Sequence, residues 1–249
     1  MTVHISLDDA IGEDEVLALY QANQWSSADK PQQLLAALRN SHSLVTARRD
    51  GRLLGLGNAI MCAYPVVGHN PFAILLPDVL IDQHQSNLKV DNLAAMMARY
   101  SETGASQIMV EPVPHNMVDQ YGVVDLQDVN LRAGTSAVIS DMVEKPAVDE
   151  APSNFAITGR YVLSEHIWDL LAHITPGAGD EIQLTDAIYQ LCLRETIEAY
   201  HIVGKSHDCG TKLGLIQANL EYALQHDLYA KPLRATIERI FADLNKDKK

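Results

Sequence analysis

Two acids stand where a metal ion can be held. Asp78 closes the apolar run PFAILLPD, and Asp208 follows YHIVGKSH directly before Cys209-Gly210. They are far apart in sequence, but each ends a β-like run. Two such carboxylates can share an octahedral Mg2+, which takes one or two carboxylates and fills its other positions with phosphate oxygens and water. A helix cap or a solvated turn is the plainer use of each. Glu144-Lys145, ahead of Pro146, is a second pair. Its carboxylate can grip a hydroxyl and its ammonium a phosphate, or the two can form an ordinary ion pair at the end of a strand. His201 and His207 read as surface or strand histidines. Cys62, Cys192 and Cys209 are odd in number and lack C-x-x-C spacing, so they suggest neither a disulfide framework nor a zinc cage and read as reduced, structural thiols.

Residues of this kind need elements to position them, and the chain changes character along its length. Residues 12–23 carry the acids GEDE and then Val16, Leu19, Tyr20 and Asn23 at helical spacing, an amphipathic helix with its anions at the positive end. A second short helix starts at Asp29-Lys30-Pro31, runs through Leu34, Leu35 and Leu38, and ends at Asn40-Ser41. SLVTARRDGRLLGL then places β-rich runs on either side of Asp50-Gly51, a hairpin signal over Ser43 to Leu56. From residue 70 strands and helices alternate. PFAILLPD reads as a parallel strand buried on both faces. A helix over Asp91–Ser101 stops near Gly104, and strands follow at SQIMVE, YGVVD, AVISDMVEK and FAITGRYVL. Helices over Ser164–Ala172 and Leu184–Arg194, the strand EAYHIV and a long helical region complete an α/β domain with a mixed sheet. In such sheets ligands sit beyond the carboxyl ends of the strands, which favours the polar residues there.

The bulk properties bound the partners. A chain of 249 residues, 47% hydrophobic, is long enough for one large domain or a medium and a small one. A formal charge of −13 disfavours a broad nucleic-acid or anionic-membrane surface, since phosphate binding needs clustered Lys and Arg. No run reaches the roughly 20 apolar residues that span a bilayer, and the acidic start lacks a signal-peptide layout, so a cytoplasmic protein is expected.

The segments PFAILLPDVLID, SQIMVEPV, YGVVD, VEKP, APSNFAITGRYVLS, PGAGDEIQLTDAI and AYHIVGKSHDCGTKLG stand in family order from about Gly55 to Asp227. Together they resemble the bacterial UTP–glucose-1-phosphate uridylyltransferases, the UDP-glucose pyrophosphorylases. The resemblance implies a nucleotidyltransferase fold, Rossmann-like with a mixed sheet. It also implies a reaction in which glucose 1-phosphate attacks the α-phosphorus of UTP to give UDP-glucose and pyrophosphate. It assigns catalytic Mg2+ to Asp78 and Asp208, sugar and sugar-phosphate binding to Glu144 and Lys145, with Lys145 also catalytic, and close backbone approach of the sugar nucleotide to Gly57, Tyr121, Gly122 and Gly159. Pairing with a copy of itself or with a full-length homologue is a further implication.

Two departures qualify this. Neither the family's G-x-G-T-R loop nor its K-E-M-L segment, which grip the triphosphate, occurs in residues 1–50, and Asp50 and Asn58 replace a uracil-reading Gln and a His. Instead, VLALYQANQWSSADKPQQLLAALRNSHSLVTARRDGRLLGLGNAI resembles the opening of a GNAT-type N-acyltransferase, and the two likenesses meet at GLGNA, Gly55 to Ala59. The expectation is an incomplete nucleotidyltransferase domain over residues 57–230, a GNAT-like helix-helix-hairpin segment over 1–56 and a C-terminal helix and tail over 231–249. Its activity is left open. The alternatives are a non-catalytic hybrid that binds sugar nucleotide or pairs with a full-length pyrophosphorylase and, more distantly, an N-acetyltransferase.

Overall fold

The computed structural model describes residues 4–6, 14, 17, 46–48, 55–127, 129–175 and 182–246. In chain order the elements are strands β1 (His4–Ser6) and β2 (Thr46–Arg48), helices α1 (Gly55–Met61) and α2 (Tyr64–Val67), and strands β3 (Phe72–Leu75) and β4 (Val79–Ile81). Helix α3 (Leu93–Thr103), strand β5 (Ser106–Pro112), a 3-10 turn (His115–Gln120) and strands β6 (Gly122–Asp125), β7 (Ser136–Val138), β8 (Asp141–Glu144) and β9 (Phe155–Leu163) come next. Helices α4 (Ile167–His173) and α5 (Leu184–Cys192), strands β10 (Ile197–His201) and β11 (Ser206–Asp208), and helices α6 (Lys212–Gln225) and α7 (Ala230–Lys246) complete the chain. They divide into two units, Met1–Leu76 with Asp82–Lys205, and Pro77–Ile81 with Ser206–Lys249.

The larger unit is built on a mixed seven-stranded sheet in the order β7-β10-β5-β9-β6-β8, with β3 also paired to β9. Among the described strands of this sheet only the β10–β5 pair is parallel. Strand β5 is buried from Ser106 through Val110 because both its faces are covered, which is why its sequence does not alternate. Ile108 and Val110 pack with Leu163, with Ile167 and Leu171 of α4, and with Leu184, Ile188 and Leu191 of α5. Met96 of α3 is fully buried as well. Gln107 and Glu198 are buried polar residues that satisfy each other. Gln107 Nε2 donates to Glu198 Oε2 at 2.8 Å, and both Glu198 oxygens accept from the Arg99 guanidinium at 2.8 Å. That hydrogen bond, more than any other influence, holds the Glu198 carboxyl below its ordinary value.

Three expectations change. The run PFAILLPD is an antiparallel edge strand with alternating exposure, because β3 pairs only with β9 and turns one face to the core, where Phe72 stacks on Trp168 at 4.3 Å. It ends at Leu75, so Asp78 belongs to the turn that opens β4. The run AVISDMVEK is two strands. β7 lies on one edge of the sheet and β8 on the other, yet only Ile139 and Ser140 separate them, with Ile139 N bonded to Ile197 O and Ser140 N to Asp125 O. A two-residue step between opposite edges requires the sheet to curl. Finally, Gly55 and Leu56 open helix α1 rather than closing a hairpin arm. Leu56, Ile60, Ala63 and Val67 recur at helical spacing and pack on the core. β2 pairs antiparallel with β1 in a separate two-stranded sheet and so adds nothing to an edge of the large one. Of the predicted helix over 12–23 the described residues, Asp14 and Leu17, are helical. The helix over 29–41 and the Asp50-Gly51 turn lie outside the described residues.

In the smaller unit β11 pairs antiparallel with β4, Asp208 opposite Val79. Thr211 caps α6 through its Oγ1, which accepts from Gly214 N at 3.0 Å. Tyr222 of α6 donates to Ile81 O at 3.1 Å, tying the helix to the ladder. The C-terminal helix expected within 231–249 is α7, Ala230–Lys246. No helix among the described residues is long and apolar enough to cross a membrane.

Candidate active site

In the larger unit the β6–β8 ladder sets Gly122 opposite Glu144. One residue further on, the Lys145 N–H donates to Tyr121 O at 2.9 Å, and Lys145 takes a left-handed backbone with φ 47°. That conformation is costly for a residue with a Cβ and ends the strand at this point. The space above the Gly122 Cα is lined with side chains. A Cβ there would lie 3.0 Å from Glu144 Oε2, 3.0 Å from Ile157 Cδ1 and 3.5 Å from Thr185 Oγ1. Among the described residues neither the Glu144 carboxylate nor the Thr185 hydroxyl has a hydrogen-bonding partner. Tyr161 is buried in the same unit, and its hydroxyl is pushed up by that burial and then by the charge on Glu144. Four expected residues, Tyr121, Gly122, Glu144 and Lys145, thus share one ladder end.

In the smaller unit the two candidate metal ligands are brought together. Asp78 directly precedes β4, Asp208 ends the antiparallel β11, and the Cys209 N–H closes the pair by donating to Asp78 O at 2.7 Å. The chain turns back at Gly210, whose N–H donates to Asp208 Oδ1 at 2.9 Å. A Cβ on Gly210 would stand 2.8 Å from Asp78 Oδ2 and 3.1 Å from Asp208 Oδ1, so the missing side chain leaves open the place where both carboxylates converge. Hard oxygen donors around such a space fit a small divalent cation. The Cys209 thiol is pushed up by burial and then by the charges of Asp208 and Asp78, and burial pushes the Cys192 thiol up to about 11. All three cysteines are free, as structural thiols are expected to be.

Two other glycines are explained by packing. Gly57 is buried in α1, and its N–H donates to Ile182 O at 2.9 Å. A Cβ on it would come within 2.7 Å of that oxygen and 3.1 Å of Leu171 Cδ2, so on that side this glycine allows close packing of α1 on the core. Gly159 has φ 64° where the β5–β9 register shifts, and Leu76 covers it, with Cδ1 at 2.9 Å from the Cβ position. His201 ends β10 with Nδ1 against Leu131 O at 2.8 Å, an ordinary strand histidine. Thr185 and Gly210 were not singled out from the sequence, because their meaning depends on partners that only the fold supplies.

A family model described as Nucleotidyl transferase matches residues 16–225. The chain belongs to the nucleotidyl transferase family. The match takes in residues 16–56 of the segment for which an acyltransferase-like opening was expected. This nucleotidyl transferase is 55% identical over 197 residues to the UTP–glucose-1-phosphate uridylyltransferase of Escherichia coli (strain K12), an alignment covering 79% of this chain and 65% of that protein. Its fold is similar to a UTP-bound UGPase from Acinetobacter baumannii, with a TM-score of 0.67 and 40% identity, covering 90% of this chain and 74% of the other. It is also similar to a UDP-glucose pyrophosphorylase complexed with UDP-glucose, with a TM-score of 0.65 and 29% identity, covering 86% and 85%. The α/β mixed sheet is therefore that of a nucleotidyltransferase domain, and the chain spans about 65% of the length of the curated relative.

Proposed function

We propose that this nucleotidyl transferase binds UTP, glucose 1-phosphate and UDP-glucose and carries uridylyl-transfer chemistry. In that reaction a phosphate oxygen of glucose 1-phosphate attacks the α-phosphorus of UTP, and pyrophosphate leaves. The observation that carries the reading is the convergence of Asp78 and Asp208, widely separated in sequence, on the open face of Gly210. Glu144 accepts from sugar hydroxyls, Lys145 neutralises the sugar phosphate, and the Tyr121-Gly122 backbone lets the sugar nucleotide come close. Asp78 and Asp208 would hold Mg2+, which when bound supplies charge neutralisation between phosphates and fixes their alignment. A cytoplasmic location is part of the proposal. Residues 1–50 hold no G-x-G-T-R sequence, and turnover slow relative to binding is part of the proposal.

Calorimetric titration with UDP-glucose, with and without Mg2+, followed by pyrophosphate release from UTP and glucose 1-phosphate, tests this. The expected result is Mg2+-dependent binding that Asp208→Ala abolishes. Binding indifferent to both the ion and the substitution would overturn the metal assignment.

A second reading, pairing with another copy or with a full-length homologue, is favoured by one observation. In the smaller unit Leu213 and Ile216 of α6 and Phe241 of α7 are each more than 60% exposed, an apolar surface of the kind that pairs. Sedimentation of the pure protein, alone and mixed with a full-length pyrophosphorylase, separates this from a monomer. Acyl transfer by residues 1–56 is a lesser proposal, answered by titration with acetyl-CoA.

A further inference from the structure

We infer that the outer edge of β3, at Ala73 and Leu75, is a strand-pairing surface whose partner is the same edge of a second copy of this chain. This surface lies in the larger unit, so the inference goes beyond the pairing reading above, which rests on α6 and α7 of the smaller one.

A strand has two hydrogen-bonding edges, and β3 uses one. It pairs with β9 alone, from Phe72 opposite Leu163 to Leu75 opposite Arg160, and the Leu76 N–H continues the ladder by donating to Gly159 O at 3.0 Å. Alternate residues of an antiparallel strand turn their N–H and C=O to the same side. Phe72, Ile74 and Leu76 therefore face β9, and the backbone groups of Ala73 and Leu75 face away from it. Among the described residues nothing takes up those groups. The side chains leave the same stretch bare. Phe72 and Ile74 pack on the core, while Ala73 and Leu75 are exposed, Leu75 by 53%. Native edges are commonly blunted by charges, which make pairing with another chain costly. The edge strand β8 carries Asp141 and Glu144, but between Pro71 and Pro77 the β3 segment holds no charged residue. Arg160, opposite Leu75, is turned onto Leu76 O at 2.9 Å and Gly159 O at 3.1 Å.

The edge is also self-complementary. Antiparallel pairing about a two-fold axis at Ile74 sets Ala73 of one copy opposite Leu75 of the other, and every outward N–H then meets an outward C=O. Neighbouring registers oppose Ala73 or Leu75 to Pro71 or Pro77, which has no N–H to return. On the exposed face the Ile74 register brings Leu75 of each copy beside Ala73 of the other, an apolar cross-strand pair. So small an interface gives a weak dimer, with a Kd of about 10–100 µM.

The test is residue-resolved amide hydrogen exchange of the whole chain, beside sedimentation equilibrium, in wild type, Leu75→Lys and Phe241→Ser. Ile74, bonded to β9, is the internal reference. Between about 1 and 200 µM the wild-type Ala73 and Leu75 amides should slow about tenfold as the dimer forms, and Phe241→Ser should behave alike. Leu75→Lys changes a side chain that already stands in water, so it should melt as wild type, stay monomeric and keep both amides fast. Amides of Ala73 and Leu75 that exchange freely at every concentration overturn the inference whatever the oligomeric state, and a dimer lost only in Phe241→Ser then leaves the helix reading standing. Slowing that survives Leu75→Lys overturns it too. Slowing that appears only when a full-length pyrophosphorylase is added overturns self-pairing in favour of a strand from that homologue.

Discussion

Glu144 and Thr185 stand on a strand and a helix that share the main core, whereas Asp78 and Asp208 flank a ladder of three residue pairs in the smaller unit. The first pair is aimed by burial. Its elements cannot shift without disturbing Leu184, Ile188 and Leu191. The second pair is aimed by backbone hydrogen bonds, from Cys209 N to Asp78 O and from Gly210 N to Asp208 Oδ1, and both its carboxylates are exposed. Two exposed carboxylates facing one space can be bridged by a cation. The Glu144 side is therefore a property of the fold, and the Asp78–Asp208 side a property of a local turn.

Changes in the buried core of the larger unit should accordingly destabilise the protein, and changes at the exposed acids should not. The largest contrast is between Gly159→Ala and Asp208→Ala. Alanine at 159 must take a positive φ and meet Leu76, which should cost about 2–4 kcal/mol in urea unfolding. Asp208→Ala, expected to abolish ligand binding under the proposed function, should stay within about 0.5 kcal/mol of wild type. Comparable losses in the two would break the comparison. Smaller is the effect of Thr211→Ala, which removes the α6 cap and should cost about 1 kcal/mol. If the smaller unit melts separately, that loss will appear only in its own transition. The smallest effect concerns His166, whose Nδ1 meets Glu195 Oε2 at 2.7 Å. That hydrogen bond, ahead of every other influence, raises the imidazole above its ordinary value near 6.5. A raised value in the folded state means a contribution fully present below pH about 6.5 and lost as pH rises through the folded value. Because His166 is largely exposed, the difference between wild type and His166→Gln should remain below about 1 kcal/mol, and it should vanish at alkaline pH.

Helices and strands from residue 91 onward were legible because apolar periodicity and Gly punctuation are local, as with β5, β9 and the stop of α3 at Gly104. Where local signals conflicted they misled. GRLLGL reads as a hairpin turn and strand, yet Leu56 packs on the core from a helix. PFAIL is apolar enough for a central strand but has one neighbour instead of two. The residue types of the site were likewise on view, with Asp78, Asp208 and Glu144-Lys145 each marked by position at the end of an extended run.

What the sequence by itself determined is the inventory: which segments extend, which coil, and which side chains can bind a cation, a phosphate or a hydroxyl, since these follow from neighbours within a few residues. Only the tertiary structure decided who faces whom. The curl that sends β7 and β8 to opposite edges, the burial of Gly57 against Ile182, the meeting of Asp78 with Asp208 and the alignment of Thr185 with Glu144 over Gly122 all join residues distant in sequence. Such meetings are set by strand pairing and core packing, whose free energy belongs to the assembled surface and to no single segment of the chain.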